Sequence, residues 1–149
     1  DEALPTGLNY MLALANAGLG VIHGFAAPLG GLLRVPHGAL CAAMAAPGVA
    51  ANLRALEQRQ PASPVLARYD LAATWLIGRP EATRHDLVPW LASLARRAGV
   101  PALKDVGLGP DEIPEVVAAA QRSSSMSANP IPLDEHELST ALRKAMDQG

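Results

Sequence analysis

The chain has 149 residues, half of them hydrophobic but only 3% aromatic, and a formal net charge of −2. That length suits one domain with a core of Ala, Leu and Val, and 12 basic against 14 acidic residues leave neither the basic stripe of a nucleic-acid binder nor a polybasic tract for an anionic membrane. The single cysteine, Cys41, excludes an internal disulfide and fits a reducing, cytoplasmic compartment.

Ala and Leu head the helix-propensity scale, while strand-favouring residues are scarce, so the expected fold is all-α: a bundle of about six to eight helices forming one domain over residues 1–149. No basic segment leads into an apolar run with a cleavage site, as a signal peptide requires. Gly, His, Arg or Pro interrupts each apolar stretch before it could span a bilayer. The sequence opens Asp1-Glu2-Ala3-Leu4-Pro5 without a methionine, and we read it as a piece of a longer polypeptide.

In chain order, an apolar helix is expected from about Thr6 to Leu19, followed by a second apolar piece over Val21 to Leu29 that Pro28 and Gly30-Gly31 break. Another helix is expected across Ala39 to Ala46, interrupted by Pro47-Gly48 and resumed from Val49 to Gln58. Pro61-Ala62-Ser63-Pro64 is a turn, with Ser63 the N-cap of a helix over Val65 to Ile77 that Gly78-Arg79-Pro80 ends. Thr83 caps the next helix, which reaches about Ala98 and stops at Gly99, with a kink or late start at Pro89. A loop over 100–110 leads to a short amphipathic helix from Asp111 to Gln121, with acids in its first turn. The Ser-rich segment 123–130 is a surface connection, and Asp134 opens the last helix, Leu133 to Met146.

Unusual residues concentrate between Gly18 and Gly38. The spacing Gly18-x-Gly20-x-x-x-Gly24 is faintly like a dinucleotide-binding turn, but the preceding segment is helical rather than a strand, and no acid stands about 20 residues on. Glycines that let helices approach closely are the better reading. His23 and His37 lie in apolar surroundings, each before a glycine, on segments separated by a Gly/Pro break. Adjacent elements of that kind can bring two imidazoles to a divalent metal. The plainer account of either is a buried histidine hydrogen-bonded to a carbonyl.

The run Gly20-Val21-Ile22-His23-Gly24-Phe25-Ala26-Ala27-Pro28-Leu29-Gly30-Gly31, then Val35-Pro36-His37-Gly38, resembles the signature of iron-containing alcohol dehydrogenases. Gly99-Val100-Pro101 through Asp111-Glu112-Ile113-Pro114 is similar to a downstream segment of that family, and Asn129-Pro130 to its closing Asn-Pro-Arg element. The resemblance covers nearly the whole chain in order. It implies a helical domain that holds a divalent metal, iron or zinc, through His23 and His37. That domain would face a nucleotide-binding domain carrying NAD or NADP, with a small alcohol or aldehyde as substrate. The metal would polarise the substrate oxygen while hydride passes to or from the nicotinamide.

Three departures bear on that implication. The family's other two ligands are an Asp and a His four residues apart, and no Asp-x-x-x-His occurs here. Many members carry a histidine where this chain has Ala27, and Ile131 replaces the arginine of Asn-Pro-Arg. No catalytic residue is assigned within the chain. The expected partners are the nucleotide-binding domain and a second copy, meeting an exposed apolar face, with no nucleic acid and no membrane. The chain alone is expected to be inactive; the alternatives are a non-catalytic helical interaction module and a clipped enzyme. His85 and His136 read as solvated surface residues, Cys41 as a buried inert thiol without a nearby base, and Trp75 and Trp90 as core or boundary anchors. Arg96 and Arg97 complement a helix end.

Overall fold

The structure is a computed structural model that describes residues 19–148. The helix expected from Thr6 lies outside the described residues except for Leu19, as does Gly18. The described residues contain six α-helices and no strand: α1 Val21–Leu32, α2 His37–Arg59, α3 Pro64–Ile77, α4 Arg84–Arg97, α5 Ile113–Arg122 and α6 Glu135–Asp147. Turns of 3₁₀ helix at Leu103–Val106, Pro110–Glu112 and Ser124–Ala128 punctuate the connections. The all-α expectation therefore holds.

Two expected interruptions are absent. α1 runs through Pro28 and on past Gly30-Gly31, and α2 continues through Pro47-Gly48 for 23 residues. Pro47 leaves the carbonyl of Ala43 without its helical donor, at a propensity cost of about 3 kcal/mol. Packing outweighs that cost, because Pro47 and Gly48 are both buried, Gly48 where α2 meets the start of α1 and Pro47 on the side that faces Glu137 and Ala141 of α6. A Cβ on Gly48 would lie 3.0 Å from Val21 Cγ1 and 3.2 Å from Ile22 Cγ1, so the missing side chain permits the close crossing. Pro89 likewise lies inside α4, which begins at Arg84 rather than after the proline. The 23-residue α2 also undoes the expectation that no apolar stretch is long enough to cross a bilayer; its burial against neighbouring helices is what a core helix shows.

The expected caps are in place. Ser63 accepts the Val65 N–H, Gly78 ends α3 in the left-handed conformation, and Thr83 and Asp134 each form reciprocal capping boxes, with Asp86 and Glu137. The main core joins α1, α2, α5, α6 and the turn around Leu103 and Leu108 through Phe25, Leu29, Leu40, Leu56, Val117 and Leu142. A smaller cluster of Ala73, Ala82 and Leu87 sits between α3 and α4, with Trp90 half-buried against it. Arg84 clamps the hairpin by donating from Nε, Nη2 and its backbone N–H to the Asp70 carboxylate at 2.9, 2.6 and 2.8 Å. Trp75 is not an anchor: it is 75% exposed on α3, beside the exposed Leu71 and Leu76.

Candidate metal centre

His23 is the third residue of α1 and His37 the first of α2. The link between the helices, 33–36, is extended at Leu33 and Pro36, and the packing of Phe25 and Leu29 with Leu40 and Met44 fixes the two helices together. The two imidazole rings meet with centroids 5.5 Å apart and planes tilted by 48°. Cys41, one helical turn after His37, lies with Sγ 3.4 Å from His37 Nε2. One donor atom from each of His23, His37 and Cys41 lies within 4.8 Å of the others. His37 is exposed while His23 and Cys41 are half-buried, so the cluster opens on the surface.

Sequence reasoning placed Cys41 away from any base, and the structure corrects this. The residue stands at i+4 from His37 on one helix, the spacing that stacks side chains on a common face. Burial pushes its thiol up from the ordinary range. His85 and His136 are exposed as expected; His85 Nε2 lies 3.6 Å from Glu57 Oε1 at the surface. Ala27 is exposed on α1, one turn on from His23, and brings no titratable group to the centre. Arg96 and Arg97 fall in the exposed last turn of α4.

Behind His23 lies an open hollow of about 310 Å³ whose walls include Gly20, Val49, Asn52, Tyr69 and Asn129. Its polar floor is a pair of amides. Asn129 Nδ2 donates to Asn52 Oδ1 at 2.7 Å, and Asn52 Nδ2 donates back to Asn129 Oδ1 at 3.3 Å. The same Asn129 oxygen accepts the Val21 N–H at 2.9 Å, and its amide nitrogen also donates to the Ile131 carbonyl at 2.7 Å. Asn129 therefore holds the first turn of α1, two residues before His23. A Cβ at Gly20 would lie 2.7 Å from Asn129 Oδ1 and one at Gly24 would lie 2.5 Å from Met126 Sδ: these glycines serve close approach, as read from the sequence. Asn52 also donates to the Tyr69 hydroxyl at 3.3 Å, and burial raises the phenol's pKa against the opposing pull of that bond. Asn52 and Tyr69 carried no local signal, since their partners lie on other elements.

The donor set fits a divalent ion. Metal–nitrogen bonds of about 2.0 Å and a metal–sulfur bond of about 2.3 Å in a tetrahedral site set donor atoms roughly 3.3–3.6 Å apart. The Sγ–Nε2 separation of 3.4 Å already has that length.

Residues 3–146 match the family described as Fe-containing alcohol dehydrogenase family, C-terminal, and the chain belongs to that family. It is similar to maleylacetate reductase 1 of Cupriavidus pinatubonensis (strain JMP 134 / LMG 1197), with 32% identity over 134 residues, which cover 89% of this chain and 33% of that protein. The chain thus spans about a third of the length of the curated relative it matches.

Proposed function

We propose that this chain is the metal-binding helical domain of a nicotinamide-dependent reductase or dehydrogenase, with His23 and His37 as two of the metal's ligands. The observation that carries the reading is the meeting of the two imidazoles, 5.5 Å between centroids, from a family signature that sequence alone leaves 14 positions apart. Family membership supports an oxidoreductase setting. A divalent metal, iron or zinc, supplies Lewis acidity toward an alcohol or carbonyl oxygen when bound. His23 and His37 hold it at the open edge of the cluster, where exposure of His37 leaves room for substrate and for a domain carrying NAD or NADP.

The substrate class is a small alcohol, aldehyde or ketone; the similar reductase named for maleylacetate makes an oxo acid worth testing first. Ala27 offers no side-chain proton donor or acceptor, so proton transfer falls to another group or to solvent. Free Cys41 fits a cytoplasmic setting. On this reading the 149-residue chain alone has no dehydrogenase activity, because NAD or NADP is carried by the other domain.

Zinc added to the chain should raise its melting temperature, with about 2.7 kcal/mol of stabilisation at a hundredfold excess over Kd. His23→Ala and His37→Ala should each remove most of that shift. A melting temperature indifferent to zinc, iron and cobalt would instead favour a non-catalytic helical module, the reading toward which Ala27 and the missing Asp-x-x-x-His point.

A further inference from the structure

We propose that Cys41 is a third protein ligand of this centre, so that the chain presents two imidazole nitrogens and one thiolate to a thiophilic divalent ion such as zinc. The inference rests on the metal-binding reading of His23 and His37 and adds a residue that the family signature does not supply.

The geometry that points to Cys41 is local to α2. His37 and Cys41 are four residues apart, so they form a one-turn chelate on a single helix face. Their donors stand 3.4 Å apart, close to the edge of a tetrahedral nitrogen–sulfur site, about 3.6 Å from ordinary bond lengths. That edge is the hardest to adjust, since both side chains spring from one rigid helix, and it is already at length. The remaining donor, on His23, belongs to a cluster no wider than 4.8 Å. Rotation of an imidazole about its side-chain bonds covers a remaining gap of roughly 1.5 Å or less to the tetrahedral distance. Two imidazole nitrogens alone accept several borderline divalent cations with little discrimination, whereas an added thiolate favours the softer ones and zinc. Three protein ligands with one open position match the pattern of catalytic rather than structural zinc. Binding replaces the Cys41 S–H bond by an S–metal bond and releases the proton to solvent.

Cobalt(II) titrated into the reduced full chain under anaerobic conditions tests this directly. The expected result is one equivalent bound, with a thiolate-to-cobalt charge-transfer absorption in the near ultraviolet. Cys41→Ser and Cys41→Ala should both lose that absorption and bind cobalt at least about tenfold more weakly, the least that even an outer-shell partner of a metal site costs. The charge-transfer signal is read on the unaltered chain, so the test does not depend on a variant folding. Cobalt bound without that absorption, or with unchanged affinity in both variants, overturns the role of Cys41 while leaving the histidine pair intact, provided His37→Ala still abolishes binding. No cobalt bound by the unaltered chain overturns both.

Discussion

At the scale of single residues, the first turn of α1 is set by an amide near the other end of the chain. Asn129 makes bonds to Val21, Asn52 and Ile131, and Asn52 is the buried polar residue it pairs with. Asn129→Ala strands Asn52 Oδ1 and the Val21 N–H, with Asn52 Nδ2 still held by Tyr69, and should cost about 2–4 kcal/mol in chemical denaturation, since a buried polar group left unpaired loses its full desolvation energy. The Asn52→Ala, Asn129→Ala double variant should lose less than the sum of the singles, because each single already breaks both bonds they share. Equal and additive effects would mean that the two amides act independently. The histidines were legible beforehand because each stands in a short pattern with glycine and proline that survives as a motif. Cys41 was not, for a reason of one helical turn: with the helix expected to begin at Ala39, His37 lay outside it, and the i, i+4 relation was invisible. The Asn52–Asn129 pair spans 77 positions, and no local pattern encodes such a partner.

At the scale of elements, ends were easier to read than interiors. Ser63, Gly78, Thr83 and Asp134 stand at helix ends as expected, because capping is decided by a few neighbouring backbone groups. The prolines inside α1 and α2 were misread as breaks, because their cost is local while the compensation comes from packing against other helices, and Pro89 was expected to delay or kink α4, which instead begins before it. The two kinds of proline should therefore respond differently to replacement. Pro89 is exposed within α4, so Pro89→Ala restores a donor to the His85 carbonyl and loses little contact. We expect it to stabilise the chain by about 1–3 kcal/mol. Pro47 is buried, and Pro47→Ala should gain clearly less, because the restored bond is offset by a cavity where α2 packs on α6. Denaturation midpoints of the two variants provide the comparison; a destabilised Pro89→Ala would contradict it.

For the molecule as a whole, stability is unevenly distributed. α1, α2, α5 and α6 share one core, whereas α3 buries only Leu66 and Ala73 fully and leans on α4. Amide hydrogen exchange should therefore release α3 before α2 or α5, at an opening free energy well below the global value. Acid should widen the gap. Side-chain bonds from Arg84 hold the Asp70 carboxyl below its ordinary range, so the clamp contributes above the ordinary carboxylate pKa and is lost as pH falls through the depressed value. Asp70→Asn should speed α3 exchange at neutral pH and abolish its extra acid sensitivity; equal exchange across all six helices would refute this hierarchy. The bond from Val21 to Asn129 crosses 108 positions, and this has a meaning for synthesis. Both imidazoles are translated well before the tether that seats the first of them. On the metal-binding reading, an ion offered before Asn129 has emerged would meet ligands not yet held in register, so faithful loading follows the docking of Asn129 on α1.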